Sequence, residues 1–170
     1  MHIIYFGKSG PFTIFLHPGF LQRKIFIVAL YQKETNNMIS KAEYKKQNID
    51  FLREKSKAEG VVKLQGGVLY EVLKEGEGGK TPNSGSVVLV YYKGTLIDGT
   101  AFDDNLADAC PSPMRLRDLI DGWQVALIHM HKGDKWRIYV PATMGYGNKR
   151  VDNIPGNSTL VFDIELTGFQ

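Results

Sequence analysis

The sequence has little net charge, one cysteine and no long apolar run. Its 170 residues include 21 lysines and arginines against 18 aspartates and glutamates, a formal net charge of +3. A nucleic-acid-binding protein would need a basic stripe that this balance does not supply. Cys110, the single cysteine, excludes an internal disulfide framework and a zinc site built on several thiolates. Because no run of about 18 apolar residues occurs, we expect no transmembrane helix and no membrane partner.

Motifs for several common chemistries are also incomplete. Gly78-Gly79-Lys80-Thr81 resembles the end of a phosphate-binding loop, but Pro82 stands where the helix should begin. An EF-hand loop starting at Asp103 would need glycine at Asp108 and glutamate at Met114. No Ser/His/Asp or Cys/His arrangement marks a nucleophile. The sequence therefore favours chemistry without a metal, a cofactor or a covalent intermediate.

The first 37 residues differ in composition from the rest. Met1–Asn37 holds 7 of the 19 aromatic residues, and its four basic and one acidic side chains account for the whole excess of +3. Three interpretations stay open. The segment could be a signal peptide, because the apolar run Ile25–Leu30 follows Arg23-Lys24, or an extra strand-rich segment. Alternatively, residues 1–37 are absent from the mature protein, which then starts at Met38.

Residues 38–63 are predicted to form an amphipathic helix and a linker. Ser40-Lys41-Ala42-Glu43 matches a capping box, with a hydroxyl at the N-cap and a carboxylate three residues later. The helix should span Ser40–Glu59 and end before Gly60. Such a helix must pack on something, either its own domain or a partner subunit. The residues expected on its packing face are Ala42, Ile49, Leu52 and Ser56.

From Val68 onward, strands separated by turn residues dominate. The turn Ile97–Thr100 contains Asp98-Gly99, a pair that favours a hairpin. The predicted strands are Val68–Leu73, Val87–Leu96, Ala101–Asp104, Lys135–Val140 and Thr159–Leu166.

Between these strands we expect one short helix and two irregular segments. Leu119–Met130 is predicted to be helical from about Asp121, a favourable N-cap residue. Pro111 and Pro113 indicate an irregular loop, because proline supplies no donor to a strand ladder. Ala142–Ser158 is glycine-rich and polar. About five strands and a short central helix predict an α+β fold with an antiparallel sheet wrapped on the helix.

A series of short motifs runs through the second half of the chain in a fixed order. Val90–Gly94 has the form V-x-Y-x-G, and Asp98–Asp103 has the form D-G-x-x-F-D. The later motifs are Leu119–Trp123, Met130–Trp136, Met144–Gly147, Ile154-Pro155 and Thr159–Leu166. Together they resemble the signature of FKBP-type peptidyl-prolyl cis-trans isomerases, over about Val68 to Leu166. The resemblance implies an FKBP-like five-stranded half-barrel sheet in residues 64–170, similar to small bacterial members with an N-terminal helix.

The resemblance also implies a pocket, although core packing is the default role of any single aromatic residue. Trp123 would form the pocket floor, and the backbone N–H of Ile120 would donate to the substrate carbonyl. Asp103 would either orient Tyr92 or Tyr146 or help to polarise the amide. The residues assigned to catalysis are Tyr92, Phe102, Asp103, Trp123, Tyr146 and Phe162. Those assigned to substrate binding are Met114, Leu119, Ile120 and Ile154.

One position departs from the family pattern. Met114 stands where the family usually has an aromatic residue, and methionine leaves a softer apolar wall. The partners implied by the resemblance are proline-containing polypeptides and macrolide inhibitors of the tacrolimus or rapamycin type. We expect the methionine at position 114 to affect both the affinity for macrolides and the preference among substrates.

Two functions from different classes follow from the resemblance. The first is a prolyl isomerase that assists protein folding, and the second is a non-catalytic module that binds proline-containing segments and docks through its helix. We expect a monomer, with a dimer through the N-terminal helix as the alternative. The expected location is cytoplasmic, or periplasmic if residues 1–37 act as a signal.

Overall fold

The computed structural model describes residues 6–7, 10–11 and 40–170. The chain divides into two units, Met1–Ser40 and Lys41–Gln170. In the first unit the short strands β1 (Phe6–Gly7) and β2 (Gly10–Pro11) pair antiparallel. The rest of the N-terminal extension, to which the three interpretations apply, lies outside the described residues.

The second unit is built on one antiparallel sheet of seven strands. The five predicted strands are present as β4 (Leu69–Lys74), β5 (Val87–Thr95), β6 (Ala101–Asp104), β8 (Lys135–Val140) and β9 (Leu160–Phe169). Two short strands join them, β3 (Val62–Lys63) and β7 (Ser112–Arg115). The strand order is β3-β4-β8-β9-β5-β6, and β7 also pairs with β5. The predicted α+β class is confirmed.

Strand β7 corrects the prediction of an irregular loop around Pro111 and Pro113. Ser112–Arg115 pairs with Val87–Val90 of β5, and Pro113 lies opposite Leu89. Proline is tolerated there because β7 pairs on one side only, so its missing N–H interrupts no second ladder. An edge strand of this kind cannot be distinguished from a loop by composition.

The helix α2 (Asp121–Leu127) packs on the concave face of the sheet. It is shorter than the predicted Leu119–Met130, and its N-cap is Ile120, so Asp121 is the first helical residue and not the cap. Alternate side chains of β5, β8 and β9 point at this helix and form the core with it. Among the residues that the structure describes, no helix has the length and apolarity needed to cross a membrane.

The helix α1 (Lys41–Lys55) starts directly after Ser40, as predicted, and ends earlier than Glu59. Its packing face differs from the predicted one, since Ile49 is 53% exposed. Ala42 is also exposed. Ser56 is exposed as well, and Leu52 alone of the predicted face is half-buried. The side chains that make hydrogen bonds or ring contacts with the rest of the unit are Tyr44, Asn48, Phe51 and Lys55. The spacing of four, three and four residues is helical, so α1 packs on its own domain.

Candidate active site

A cavity of about 530 Å³ opens between the concave face of the sheet, α2 and the loops that follow β7 and β8. The structure brings all ten sequence-predicted site residues around it. They are Tyr92, Phe102, Asp103, Met114, Leu119, Ile120, Trp123, Tyr146, Ile154 and Phe162. The lining residues that sequence reasoning missed are Asp118, Val151, Asp152 and Asn153.

Trp123 lies at the bottom of this cavity and is only 4% exposed. Its ring meets those of Tyr92 and Phe162 edge to face, with centroids 5.2 Å away in each case. Edge-to-face contact is the favoured geometry for aromatic pairs. Gly122 lets α2 approach the sheet this closely, because a Cβ there would lie 2.4 Å from Val140 Cγ1. The floor is therefore a closely packed aromatic surface.

The aromatic wall depends on a missing side chain in β5. Phe102 and Phe162 meet edge to face with centroids 5.5 Å apart. Gly94 lies opposite Phe162 in the sheet. A Cβ on Gly94 would lie 2.6 Å from Phe102 Cε2 and 2.9 Å from Phe162 Cε1, so a larger residue would displace these rings.

Tyr92 and Asp103 form a hydrogen-bonded pair at the side of the cavity. The Tyr92 hydroxyl donates to Asp103 Oδ2 over 2.7 Å. Burial, followed by the hydrogen bond and the charge of Asp103, raises the pKa of the Tyr92 phenol well above its ordinary value. Tyr92 therefore stays a neutral donor, and Asp103 holds its ring against Trp123.

Among the donors at the cavity that have no acceptor in residues 40–170, two are the Tyr146 hydroxyl and the Ile120 backbone N–H; Trp123 Nε1, buried at the floor, is another. Burial, then the charges of Asp103 and Asp152, raises the pKa of Tyr146, so its hydroxyl keeps its proton. The carbonyl of Ile120 accepts from the N–H groups of Trp123 and Gln124, which fixes the peptide segment ahead of α2. The Tyr146 hydroxyl and the Ile120 N–H are both available to a bound carbonyl.

The entrance is bordered by apolar side chains and by a turn. Met114 on β7 and Leu119 after it line one side. On the other side Val151 and Ile154 exchange two backbone hydrogen bonds of 3.1 and 2.8 Å. Asp152, at the tip of this turn, has a φ of +47°, which aspartate tolerates better than most residues. We call residues 151–154 the flap.

The charged side chains that line the cavity are all acidic, namely Asp103, Asp118 and Asp152. Asp118 lies 3.8 Å from Arg117, and both side chains are more than 60% exposed. Asp152 has no ion pair among the described residues. The position of Asp152 beside Ile154 could have indicated a role at the rim, whereas Asp118 gives no local signal in the sequence.

Comparisons with known proteins agree with this geometry. The sequence model of the FKBP-type peptidyl-prolyl cis-trans isomerase family matches residues 78–167. The chain is 40% identical over 116 residues to the "FKBP-type peptidyl-prolyl cis-trans isomerase FkpA" of Buchnera aphidicola subsp. Schizaphis graminum, covering 68% of this chain and 46% of that protein. It is 37% identical over 139 residues to the "Outer membrane protein MIP" of Legionella longbeachae, covering 81% and 59%. The chain thus spans about half the length of these curated relatives.

A solved structure shows the same fold. The crystal structure of a peptidyl-prolyl cis-trans isomerase from Pseudomonas syringae pv. tomato superposes with a TM-score of 0.71 at 32% identity. The superposition covers 79% of this chain and 98% of that one. The superposed share of this chain is larger than residues 78–167, the part that matches the family model. On the family match, the relatives and the fold, this chain belongs to the family of FKBP-type peptidyl-prolyl cis-trans isomerases.

Proposed function

We propose that this chain accelerates cis-trans rotation about X–Pro bonds in polypeptides. The observation that carries the proposal is the aromatic cavity over Trp123, with the Tyr146 hydroxyl and the Ile120 N–H free at its side. Its size suits a proline ring with its neighbouring residues, and the relative from Buchnera is named an isomerase of this kind. Domain boundaries of 64–170 for the isomerase domain and 38–63 for the helix and linker form part of the proposal.

The barrier to this reaction comes from amide resonance and is about 18–20 kcal/mol. At the twisted transition state that resonance is lost and the carbonyl becomes less polar. A dry apolar cavity therefore destabilises the planar ground state more than the twisted state, and this difference accelerates the step. A barrier lowered by about 5 kcal/mol gives a rate gain of several thousand-fold.

The side chains have separate parts in this mechanism. Trp123 and the rings around it hold the proline ring and exclude water, which fixes its orientation. The Ile120 N–H and the Tyr146 hydroxyl bind carbonyl oxygens of the substrate. Asp103 orients Tyr92 through their hydrogen bond. It does not act as a general base, because the reaction removes no proton.

The proposal is tested with a short X–Pro peptide whose cis and trans forms are followed by NMR exchange. We expect exchange to accelerate in proportion to protein concentration, against an uncatalysed time of roughly tens to hundreds of seconds. A folded protein that binds the peptide without accelerating exchange would contradict the proposal. That result would favour the alternative, a non-catalytic module for proline-containing segments.

Asp103→Asn is expected to keep most of the isomerase activity, within about 3-fold of wild-type kcat/KM, since an amide oxygen still accepts from the Tyr92 hydroxyl. The loss of the charge should lower the pKa of Tyr92 toward its ordinary value, because that charge helps to raise it. Tyrosine ring NMR during a pH titration measures the shift. Asp104→Asn is the control, since it removes a neighbouring charge without touching the hydrogen bond. Complete loss of activity in a folded Asp103→Asn variant would show that the carboxylate acts on the amide directly.

The acidic rim predicts a preference for a basic residue before proline. Exposed charge pairs contribute about 0.2–1 kcal/mol each, so Asp118 and Asp152 together should favour Lys-Pro over Glu-Pro peptides by about 2- to 30-fold in kcat/KM. The ratio should fall toward 1 at molar salt, because salt screens exposed charges. The double variant Asp118→Asn, Asp152→Asn should lose it at any salt. Equal rates for the two peptides at low salt would contradict this prediction.

The remaining partners and the location are part of the same proposal. Macrolides of the tacrolimus or rapamycin type are expected to compete with the peptide, with an affinity set partly by Met114. We propose a monomer, which sedimentation at micromolar concentration tests. No comparison supports the cytoplasmic expectation, and the Legionella relative is named an outer membrane protein. We therefore propose the periplasmic alternative, and cell fractionation would test it.

A further inference from the structure

Helix α1 is hydrogen-bonded to the segment that carries the flap. It lies outside residues 78–167, the part of the chain that matches the family model. Its side chains nevertheless bond to Ser158 and Thr159, more than 100 residues away. These two residues follow the flap and lead into β9, so α1 contacts the end of a segment that lines the cavity.

Asn48 supplies the first connection and is 2% exposed. Its Oδ1 accepts from the Thr159 N–H over 2.6 Å, and its backbone oxygen accepts from Thr159 Oγ1 over 3.2 Å. Its Nδ2 donates to the Tyr44 carbonyl within the helix. Asparagine is an unfavourable residue inside a helix, so a buried one whose side-chain oxygen and nitrogen are both hydrogen-bonded points to a role in this contact.

Tyr44 supplies the second connection. Its hydroxyl lies 2.8 Å from Ser158 Oγ, and Ser158 Oγ donates to the Pro155 carbonyl over 2.7 Å. Because the single hydroxyl proton of Ser158 is used on Pro155, Tyr44 must be the donor to Ser158. A chain of two hydrogen bonds thus runs from α1 to the residue directly after Ile154.

The same segment also contacts the turn that carries Tyr146. The Asn157 N–H donates to the Gly147 carbonyl over 2.8 Å. Residues 155–159 therefore lie between α1 on one side and the Tyr146 turn on the other. Displacement of this segment would move the flap and the turn together.

We propose that Tyr44 and Asn48 are positioning residues, through which α1 holds the flap in the geometry needed to bind the substrate. The inference rests on the proposed isomerase function for its catalytic consequence. When the flap leaves its place, the cavity loses the wall made by Val151 and Ile154. The apparent affinity for substrate then falls with the fraction of molecules that keep the flap in place.

The test compares variants of α1 in the full chain. Tyr44→Phe removes only the hydroxyl. Asn48→Ala removes the bond from the Thr159 N–H to Oδ1 and keeps the bond from Thr159 Oγ1 to the backbone oxygen. Phe51→Leu is the matched control, since Phe51 packs against Tyr139 and not against the flap segment. Gln47→Ala, at an exposed position on the same helix, is the neutral control.

Amide hydrogen exchange and peptide kinetics are measured on each variant. In Tyr44→Phe and Asn48→Ala, exchange of the Ile154 and Asn157 amides should become about 2- to 10-fold faster, the effect of one lost hydrogen bond on local opening. KM should rise by a similar factor with little change in kcat. In Phe51→Leu and Gln47→Ala both quantities should stay at wild-type values after correction for global stability.

Two results would overturn the inference. One is an unchanged rate of amide exchange at the flap in Tyr44→Phe. If Asn48→Ala does not fold, this result alone decides whether the inference holds. The other is an equal acceleration in Phe51→Leu, because helix docking in general would then be the cause. If the wild type lacked isomerase activity, the proposed function would fail, while the exchange comparison would still decide whether α1 positions the flap.

Discussion

Trp123→Ala is expected to reduce kcat/KM for an X–Pro peptide by about 100-fold or more, which corresponds to about 2.7 kcal/mol of lost transition-state stabilisation. The indole forms the floor of the cavity and holds the rings of Tyr92 and Phe162 edge to face. Without it the cavity floor opens and water enters. Both the exclusion of water and the orientation of the proline ring are then lost.

Alanine at this position also costs stability, because a buried tryptophan truncated to alanine typically destabilises a protein by about 3–5 kcal/mol. Trp123→Phe is therefore measured beside it, since phenylalanine keeps an aromatic floor. We expect Trp123→Phe to stay folded and to lose about 3- to 10-fold in kcat/KM, an intermediate loss of cavity contact. Circular dichroism and urea unfolding establish the folded fraction before activity is compared.

Trp136 offers a matched control in the same domain. Both tryptophans are buried, and the Nε1 of each has no hydrogen-bond partner among the described residues. Trp136 stacks on Tyr70 with centroids 4.0 Å apart and does not line the cavity. Trp136→Phe should therefore destabilise the fold without lowering kcat/KM. Full activity in a folded Trp123→Ala variant would show that a dry aromatic floor is not the mechanism.

The aromatic set could be found from the sequence because each ring belongs to a short motif that resembles the family signature. Taken singly, each ring would have been read as core packing. Tyr92 lies within Val90–Gly94 and Phe102 within Asp98–Asp103, and the structure brings these two motif residues together at the cavity. The ladder of β5 then orients Tyr92 and Gly94 toward the same face.

The packing face of α1 could not be found in this way. Hydrophobic periodicity favoured Ile49, which is exposed, and did not include Asn48, which is buried. Asn48 is buried because Thr159 supplies its hydrogen-bond partners, and that residue is 111 positions away. A buried polar contact over such a distance leaves no periodic signal. Strand β7 was missed for a related reason, since its partner Val87–Val90 is what makes Pro113 acceptable.

Asn105 is a second buried polar residue whose role has no periodic signal in the sequence. Its substitution is expected to have the second large effect, on the free energy of unfolding. Strands β6 and β7 pair with different parts of β5, and Asn105 lies where the chain passes from one to the other. It is 5% exposed. Its Oδ1 accepts from the Tyr92 N–H over 2.7 Å, and its Nδ2 donates to the Val90 carbonyl over 2.9 Å. The side chain thus replaces a missing strand neighbour at the edge of β5.

Asn105→Ala is expected to lower the free energy of unfolding by about 2–4 kcal/mol, since it leaves a buried N–H and a buried carbonyl without partners. Urea unfolding followed by tryptophan fluorescence measures the loss. Ser112→Ala is the matched control, because it removes only the oxygen that accepts the second Nδ2 proton over 2.7 Å. We expect that control to lose less than about 1 kcal/mol.

Asn105→Asp separates the two roles of the amide. A carboxylate still accepts from the Tyr92 N–H, but it cannot donate to the Val90 carbonyl and brings a buried charge beside that oxygen. It should therefore destabilise the protein at least as much as alanine at neutral pH. Because Asn105 fixes the backbone of Tyr92, both variants should also lower kcat/KM in the folded fraction. A loss of stability below about 1 kcal/mol in Asn105→Ala would show that β5 does not depend on this side chain.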